Sequence, residues 1–190
     1  MKLKFDEKGL VPMIIQDAIT GSVLSLFYAN TEALEKIQET SYLWRYSRSK
    51  KKLMKKGESS GNFMKIVSIK EDCDSDALLL KVRPEGPACH SGEYSCFGEE
   101  KEILYELLDI IKNRKQNPNK NSYTSKIVTD KSEVIAKLRE ECEELIEAEK
   151  PTDIKWEAAD LLYFMLVYLE NRGVAFEDVL AELKRRRRLP

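Results

Sequence analysis

The stretch SCFGEEKEILYELLDII, residues 95–111, marks a change in the local pattern of the sequence. Before Gly98, short apolar runs alternate with Gly, Pro and Ser, which is typical of strands and turns. After Gly98, apolar residues recur at helical spacing through most of the chain. The sequence therefore predicts an α+β domain, mainly β with one or two helices, over residues 1–98. It predicts an all-α helical bundle over residues 99–190.

The N-terminal half contains several predicted strands and one predicted helix. The strands cover residues 11–16, 23–28, 43–47, 63–69 and 77–82. The helix covers residues 31–40, with Thr31 as its N-terminal cap. In the C-terminal half, the predicted helices cover residues 99–113, 134–149, 156–172 and 176–188, with a polar loop at 115–122 and breaks at Pro151 and Gly173.

Charge and hydropathy exclude several classes of protein. The 190 residues carry 32 basic and 33 acidic side chains, a net charge of −1, which does not favour non-specific binding to nucleic acid. The longest apolar run, residues 161–169, is too short to span a membrane, which needs about 20 apolar residues. The first ten residues lack the pattern of a secretory signal. We therefore expect a cytoplasmic protein that binds neither nucleic acid nor membrane.

Three of the four cysteines are candidate metal ligands. Cys73 lies in an acidic segment, and Cys89 and Cys96 lie in a Gly/Pro-rich stretch at residues 84–98. In a reducing compartment, clustered cysteines bind metal more often than they form disulfides. Three thiolates would leave one position of a tetrahedral zinc open, as in catalytic zinc sites. We expect the remaining cysteine, Cys142, in the core on the apolar face of its helix.

His90 is the only histidine in the chain, and it directly follows Cys89. It could fill the fourth zinc position and close a structural site. Adjacent residues seldom reach one metal with good geometry, so a general base or acid beside the metal is the favoured role. The spacing of these residues names no particular reaction.

The segment DCDSD, residues 72–76, places three carboxylates at every second position. In an extended or looped backbone, Asp72, Asp74 and Asp76 can converge on one hard cation such as Mg²⁺. An EF-hand is excluded because the positions that need Gly and Glu hold Ala77 and Arg83. A solvated acidic turn is the alternative.

A polar segment is a candidate binding site for phosphate. Hydroxyls, amides and cations close to glycines suit phosphate oxygens, although polar hairpin loops are also common. The candidate residues are Arg48, Ser49, Lys56, Ser59, Ser60 and Asn62.

Two predicted helices carry a second acidic cluster. The acids follow the pattern E-E-x-x-E on one helix and E-x-x-D on the next, and they are Glu140, Glu141, Glu144, Glu157 and Asp160. The second helix is apolar on nearly every side from 158 to 169, so we expect it to be buried. A buried carboxylate needs a charged partner or a metal. The cluster is either a Mg²⁺ site for a polyphosphate substrate or a set of salt bridges to Lys137, Arg139 or the basic tail.

These motifs resemble those of two enzyme families. The N-terminal half resembles phosphoribosyl-AMP cyclohydrolase in GLVP at 9–12, IQD at 15–17, SRS at 47–49, KGESSGN at 56–62, DCDSDA at 72–77, GPACHSG at 86–92 and SCF at 95–97. The C-terminal half resembles phosphoribosyl-ATP pyrophosphohydrolase in SYT at 122–124, in the acidic pattern and in DLLY at 160–163. The order is that of the fused bifunctional enzymes of histidine biosynthesis.

The resemblance implies two successive hydrolytic steps. The C-terminal domain would convert phosphoribosyl-ATP to phosphoribosyl-AMP and pyrophosphate with Mg²⁺ on its acids, Glu141 and Glu144 helping to activate water. The N-terminal domain would open the adenine ring of phosphoribosyl-AMP, with zinc held by Cys73, Cys89 and Cys96 across a homodimer interface. Mg²⁺ would lie on Asp72, Asp74 and Asp76, and His90 would shuttle the proton.

The sequence departs from the family pattern at three positions. Met54 and Lys55 stand where Trp and often His are usual, and Arg139 stands where Gly is common. Two rival functions stay open: a housekeeping pyrophosphohydrolase acting on ordinary nucleoside triphosphates, and a zinc-stapled interaction module without catalysis.

Overall fold

The structure, a computed structural model, describes residues 3–98 and 100–187. The chain divides into two compact units between Lys101 and Glu102. In the described residues, the first unit holds six strands and one helix, and the second holds five helices. The predicted fold class, an α+β domain followed by an all-α domain, is confirmed.

The N-terminal unit is built on a four-stranded sheet. Its elements are β1 (Val11–Asp17), β2 (Val23–Ala29), α1 (Thr31–Thr40), β3 (Trp44–Ser47), β4 (Lys52–Lys55), β5 (Met64–Glu71) and β6 (Leu78–Pro84). The strand order is β2-β1-β6-β5, and β3 and β4 form a separate two-stranded sheet. β1 runs antiparallel to β2 and parallel to β6, and β5 runs antiparallel to β6.

Alternation along the strands builds the core of this unit. Met13 and Ile15 of β1 and Leu80 of β6 are fully buried, whereas Ile14 between the first two is 38% exposed. Side chains alternate between the two faces of a strand, so every second residue packs inward. Ala33 and Ile37, one turn apart on α1, complete the core.

The C-terminal unit consists of helices only, within its described residues. They are α2 (Ile103–Gln116), α3 (Tyr123–Ile127), α4 (Lys131–Glu147), α5 (Pro151–Arg172) and α6 (Phe176–Arg186). Asp130 caps α4, since its carboxylate accepts hydrogen bonds from the backbone N–H groups of Ser132 and Glu133. Gly173, at a φ of 69°, ends α5 in the left-handed conformation.

Several predicted boundaries need correction. The cap of α1 is Asn30 and not Thr31, because the Asn30 side chain accepts the hydrogen bond from the Ala33 N–H. Pro151 begins α5 instead of separating two helices, since the first helical position needs no N–H donor. The short elements β4 and α3 were not predicted, because four or five residues carry too little periodicity to detect.

Helix α5 is not buried on all sides, contrary to the sequence expectation. Phe164, Leu166 and Val167 are buried, but Trp156 is 71% exposed and Leu162 is 44% exposed. The neighbours α4 and α2 cover only part of its circumference. Among the described residues, no helix combines the length and apolar character needed to cross a membrane.

Candidate active sites

The segment after β6 brings two cysteines and the histidine together. The Sγ atom of Cys89 lies 3.7 Å from Nδ1 of His90, and the Cys96 thiol also interacts with Cys89. The Ser91 hydroxyl donates a hydrogen bond of 3.1 Å to the Cys89 sulfur. This donor is the main cause that lowers the pKa of the Cys89 thiol to about 7. A thiol with this pKa is readily deprotonated at neutral pH, as a metal ligand must be.

A cavity of about 310 Å³ adjoins these groups. Predicted and unpredicted residues line it together: Phe27, Arg45, Met54, Lys55, Lys56, Gly57, Glu58, Ser59, Ser60, Ala88, His90 and Cys96. Burial is the main cause that lowers the pKa of the Lys56 ammonium, and the Arg45 charge adds to it. The cavity thus places cations and hydroxyls beside the thiols, which suits an anionic substrate.

Gly57 fixes the turn that carries Ser59 and Ser60. Its φ is +93°, and a Cβ atom there would lie 2.6 Å from backbone atoms of Asn62 and Phe63. Only glycine fits both the conformation and the space. The close approach holds the two serines at the rim of the cavity.

Three of the predicted phosphate-binding residues do not line the cavity. The guanidinium of Arg48 lies over the Tyr28 ring, 3.8 Å from its centroid. The hydroxyl of Ser49 lies 3.4 Å from that of Ser47. The Asn62 side chain faces Gly86, where an added Cβ would lie 2.4 Å from its Oδ1 atom. The structure therefore brings together Lys56, Ser59 and Ser60 of the predicted set.

The loop between β5 and β6 brings the three predicted aspartates together. Each of Asp72, Asp74 and Asp76 is exposed and offers a carboxylate oxygen within 4.8 Å of the others. Hydrogen bonds from the backbone N–H groups of Ala77 and Asp76 are leading causes that lower the pKa of Asp72. The Asp74 charge, followed by Asp72, raises the pKa of Asp76. Converging oxygens of this kind suit a hard cation.

Cys73 lies apart from the other two predicted zinc ligands. It follows β5, whose last residue Glu71 pairs with Leu78 at the start of β6. Cys89 and Cys96 follow the other end of β6, which is seven residues long and so spans about 20 Å. The Cys96 N–H bonds the Leu24 carbonyl of β2, which keeps it at that end. One chain therefore does not assemble the three cysteines into one site.

The helical unit forms a second carboxylate cluster. Glu141 of α4 and Glu157 and Asp160 of α5 offer oxygens that all lie within 4.8 Å of one another. Glu157 and Asp160 are three residues apart and so share one face of α5. Burial is the main cause that raises the pKa of Glu141 and of Glu157, and neighbouring carboxylates raise both further.

The other two predicted acids lie at the edge of this cluster. Glu144 is exposed and interacts with Glu157, whose pKa it helps to raise. Glu140 points to Lys137, whose Nζ atom lies 2.8 Å from its carboxylate and 3.7 Å from that of Glu141. Salt bridges to Lys137 were the alternative to a metal site in the sequence analysis, and Lys137 does form them on one side of the cluster. Among the described residues, Glu157 and Asp160 have no salt bridge.

The prediction that Cys142 belongs to the core is wrong. Cys142 is exposed, and its neighbour Glu141 is only 6% exposed. The packed side of α4 runs through Val134 and Glu141, seven residues apart, which places Cys142 about a quarter-turn away. The acid at this buried position faces the carboxylates of α5.

Sequence reasoning missed two cavity residues, Phe27 and Arg45. They belong to β2 and β3, and the Arg45 guanidinium lies 4.9 Å from the centroid of the Phe27 ring. Neither residue lies in a motif of polar residues. The sequence indicated only that both residues lie in predicted strands, and nothing in it indicated that they line a cavity.

Comparison with known proteins identifies the family. Residues 25–98 match the family Phosphoribosyl-AMP cyclohydrolase, and residues 104–187 match the family Phosphoribosyl-ATP pyrophosphohydrolase. The histidine biosynthesis bifunctional protein HisIE of Pyrococcus furiosus is 47% identical over 95% of this chain and 92% of its own length. That of Bacillus subtilis is 43% identical over 97% of this chain and 95% of its own length.

The chain belongs to the HisIE family. A further relative, from Bacteroides thetaiotaomicron, is 44% identical over 98% of this chain. The chain is thus a bifunctional hydrolase of histidine biosynthesis, with a cyclohydrolase and a pyrophosphohydrolase region in the predicted order. Of the three positions named above as departures from the resemblance, Met54 and Lys55 line the N-terminal cavity, and Arg139 is exposed on α4.

Proposed function

We propose that the helical domain performs the first step and the N-terminal domain the second. The helical domain hydrolyses phosphoribosyl-ATP to phosphoribosyl-AMP and pyrophosphate. The N-terminal domain then adds water to the adenine ring of phosphoribosyl-AMP and opens it. The observation that carries this proposal is the match of two hydrolase families, each over a domain with its own cluster of metal-binding side chains. On the change of sequence pattern after Gly98, we place the domain boundary at residues 98 and 99, three positions before the division between the two compact units.

The side chains beside the N-terminal cavity suit zinc. Cys89 and Cys96 offer sulfur ligands, and the lowered pKa of Cys89 favours its thiolate form. When bound, zinc supplies a Lewis acid that makes water a stronger nucleophile at neutral pH. His90 lies at the cavity wall, where its imidazole can take a proton from the attacking water. The same imidazole can return a proton to the ring nitrogen as the carbon–nitrogen bond breaks.

We propose Cys73 of a second copy as the third zinc ligand. Within one chain, Cys73 precedes β6 and the Cys89–Cys96 pair follows it, and all three are free thiols. A twofold dimer can bring the Cys73 end of one copy to the cavity of the other. Asp72, Asp74 and Asp76 would then reach the same cavity with Mg²⁺. This arrangement requires reduced thiols, which suits the cytoplasm.

The substrate of the N-terminal domain fits the character of its cavity. Arg45 and Lys56 provide positive charge, and Ser59 and Ser60 provide hydroxyl donors. These groups suit the phosphates of phosphoribosyl-AMP. The Phe27 ring offers an apolar surface for a base or sugar. Arg48, Ser49 and Asn62 support the surrounding loops in this proposal.

The carboxylates of the helical domain suit Mg²⁺. Glu141, Glu157 and Asp160 provide three converging oxygens, with Glu144 next to them. Burial, and after it the neighbouring carboxylates, raise the pKa values of Glu141 and Glu157. When bound, Mg²⁺ neutralises charge on a triphosphate. Glu144 is exposed and can orient a water molecule toward the phosphorus atom that is attacked. Glu140 would hold Lys137 in this site.

Product analysis tests the proposal directly. The purified chain is incubated with phosphoribosyl-ATP, Mg²⁺ and trace Zn²⁺, and the products are identified by mass. We expect pyrophosphate and the ring-opened imidazole carboxamide. Equal turnover of ATP or dCTP would instead indicate a housekeeping pyrophosphohydrolase. Absence of turnover with both metals bound would contradict the bifunctional assignment and favour an interaction module.

A further inference from the structure

The buried carboxylate of Asp17 has no part in the proposed chemistry. Asp17 ends β1 and is only 3% exposed. Among the described residues, no lysine, arginine or histidine forms a salt bridge with it. Burial of a carboxylate is costly unless its oxygens accept good hydrogen bonds. The partners of Asp17 therefore indicate what this position is for.

Each carboxylate oxygen of Asp17 accepts a hydrogen bond from a different part of the chain. Oδ1 accepts from the backbone N–H of Ile19 at 2.8 Å, which orders the turn after β1. Oδ2 accepts from the hydroxyl of Tyr94 at 2.8 Å, across 77 positions of sequence. The Thr20 hydroxyl lies 2.7 Å from the same Tyr94 oxygen. Tyr94 thus joins the loop after β6 to the end of β1.

Tyr94 lies between the two cysteines of the cavity. Its carbonyl accepts a hydrogen bond from the Ala88 N–H at 3.3 Å, next to Cys89, and the Cys89 N–H bonds the Glu93 carbonyl at 3.0 Å. On its other side, the Cys96 N–H bonds the Leu24 carbonyl at 2.8 Å. Cys89 therefore takes its backbone position from the part of the loop that the Tyr94 side chain anchors, whereas β2 holds Cys96 directly.

We propose that Asp17 and Tyr94 are positioning residues that hold the Cys89–Cys96 loop in its metal-binding geometry. The proposal rests on the zinc function proposed above. Neither side chain contacts the metal. Their hydrogen bond fixes the distance between the loop and the sheet, so the two thiols approach each other before a metal binds. Preorganised ligands bind metal more tightly because less conformational entropy is lost on binding.

The test compares Tyr94→Phe with the wild-type full-length chain. This substitution keeps the ring and removes only the hydroxyl that donates to Asp17. Zinc affinity is measured on reduced, metal-free protein by competition with a chromophoric chelator, and the thiolate–cobalt absorption bands are recorded after Co²⁺ loading. We expect zinc affinity to fall about tenfold or more, as for substitutions of groups that orient ligands. We expect weaker and shifted cobalt bands.

Two further variants make the result specific. Tyr46→Phe in β3 is the matched control and should bind zinc like the wild type. The double variant with Tyr94→Phe and Asp17→Asn should lose no more zinc affinity than the weaker-binding of the two single variants. Both substitutions break the same Tyr94–Asp17 hydrogen bond, so their effects should not add. If Tyr94→Phe does not fold, Thr20→Val, which removes only the Thr20 hydroxyl, should weaken zinc binding by a smaller factor.

The outcomes separate this inference from the proposed function. Wild-type zinc affinity and cobalt bands in Tyr94→Phe or, where that variant does not fold, in Thr20→Val would overturn the positioning role. A lower unfolding temperature without any loss of affinity would show a purely structural contact and would overturn it too. If the wild type itself binds no zinc through thiolates, the proposed zinc function fails, and the inference fails with it.

Discussion

The two candidate metal sites differ in how the chain assembles them. In the helical domain, Glu141, Glu157 and Asp160 converge within one chain. In the N-terminal domain, Cys73 lies before the first residue of β6, and Cys89 and Cys96 lie after its last residue. One copy brings together the carboxylates of the first candidate site, whereas the proposed zinc site would take its third ligand from a second copy.

The difference follows from the geometry of helices and strands. Side chains three or four residues apart on a helix share a face, so two packed helices easily collect several acids. A strand of seven residues separates the loops at its ends by about 20 Å. A site that uses both loops needs a second copy of the sheet.

The largest effect is expected from removing one acid of the complete site. Glu157→Gln should lower the hydrolysis of phosphoribosyl-ATP by about 100-fold or more, because a ligand of the proposed Mg²⁺ is lost. Ring opening of supplied phosphoribosyl-AMP should stay at the wild-type rate. The matched control is Glu143→Gln, an exposed acid of α4. If Glu157→Gln lost both activities to the same extent, the claim that the two sites act independently would be contradicted.

A change at the cavity turn should have a smaller effect, on stability. Gly57→Ala places a Cβ atom 2.6 Å from the backbone of Asn62 at a φ of +93°. We expect a loss of about 1–3 kcal/mol of unfolding free energy, measured by urea denaturation. Gly21→Ala is the control, because φ there is +83° but no atom lies within 4 Å of the added Cβ. Equal losses of unfolding free energy in the two variants would show that the contact between the added Cβ and the Asn62 backbone does not destabilise the fold.

The smallest effect concerns pH. The raised pKa values of Glu141 and Glu157 mean that the metal-free folded domain holds protons more tightly than the unfolded chain. Their contribution to stability is present at acid pH and is lost as the pH rises through the folded pKa values. Mg²⁺ competes with these protons, so it should raise the unfolding temperature more at pH 7.5 than at pH 5. The same increase at both pH values would argue against Mg²⁺ at these carboxylates.

Elements with a long periodic pattern were predictable from the sequence. The predicted helix at residues 31–40 has the observed bounds of α1. The spacing of its apolar residues and the polar residues at its two ends both indicated these bounds. The predicted strand at residues 11–16 lacks only Asp17 of β1. The boundary of α5 was less accurate, because Pro151 is compatible with the first position of a helix as well as with a break.

Site residues that are neighbours in sequence were also predictable. Asp72, Asp74 and Asp76 converge because a short loop carries all three, and His90 lies beside Cys89 for the same reason. Phe27 and Arg45 were missed because they reach the cavity from separate strands. Burial of Glu141 was also not predicted, since an acidic helix edge is more often solvated.

The most direct test of the divided zinc site mixes two inactive variants. Cys73→Ser and Cys89→Ser should each lose ring opening and keep the hydrolysis of phosphoribosyl-ATP. In a twofold dimer of one variant with the other, one of the two sites combines an intact Cys73 with an intact Cys89. Random exchange of subunits should therefore restore about a quarter of the wild-type ring-opening activity. A mixture as inactive as its components after proven exchange would contradict a zinc site shared between two copies.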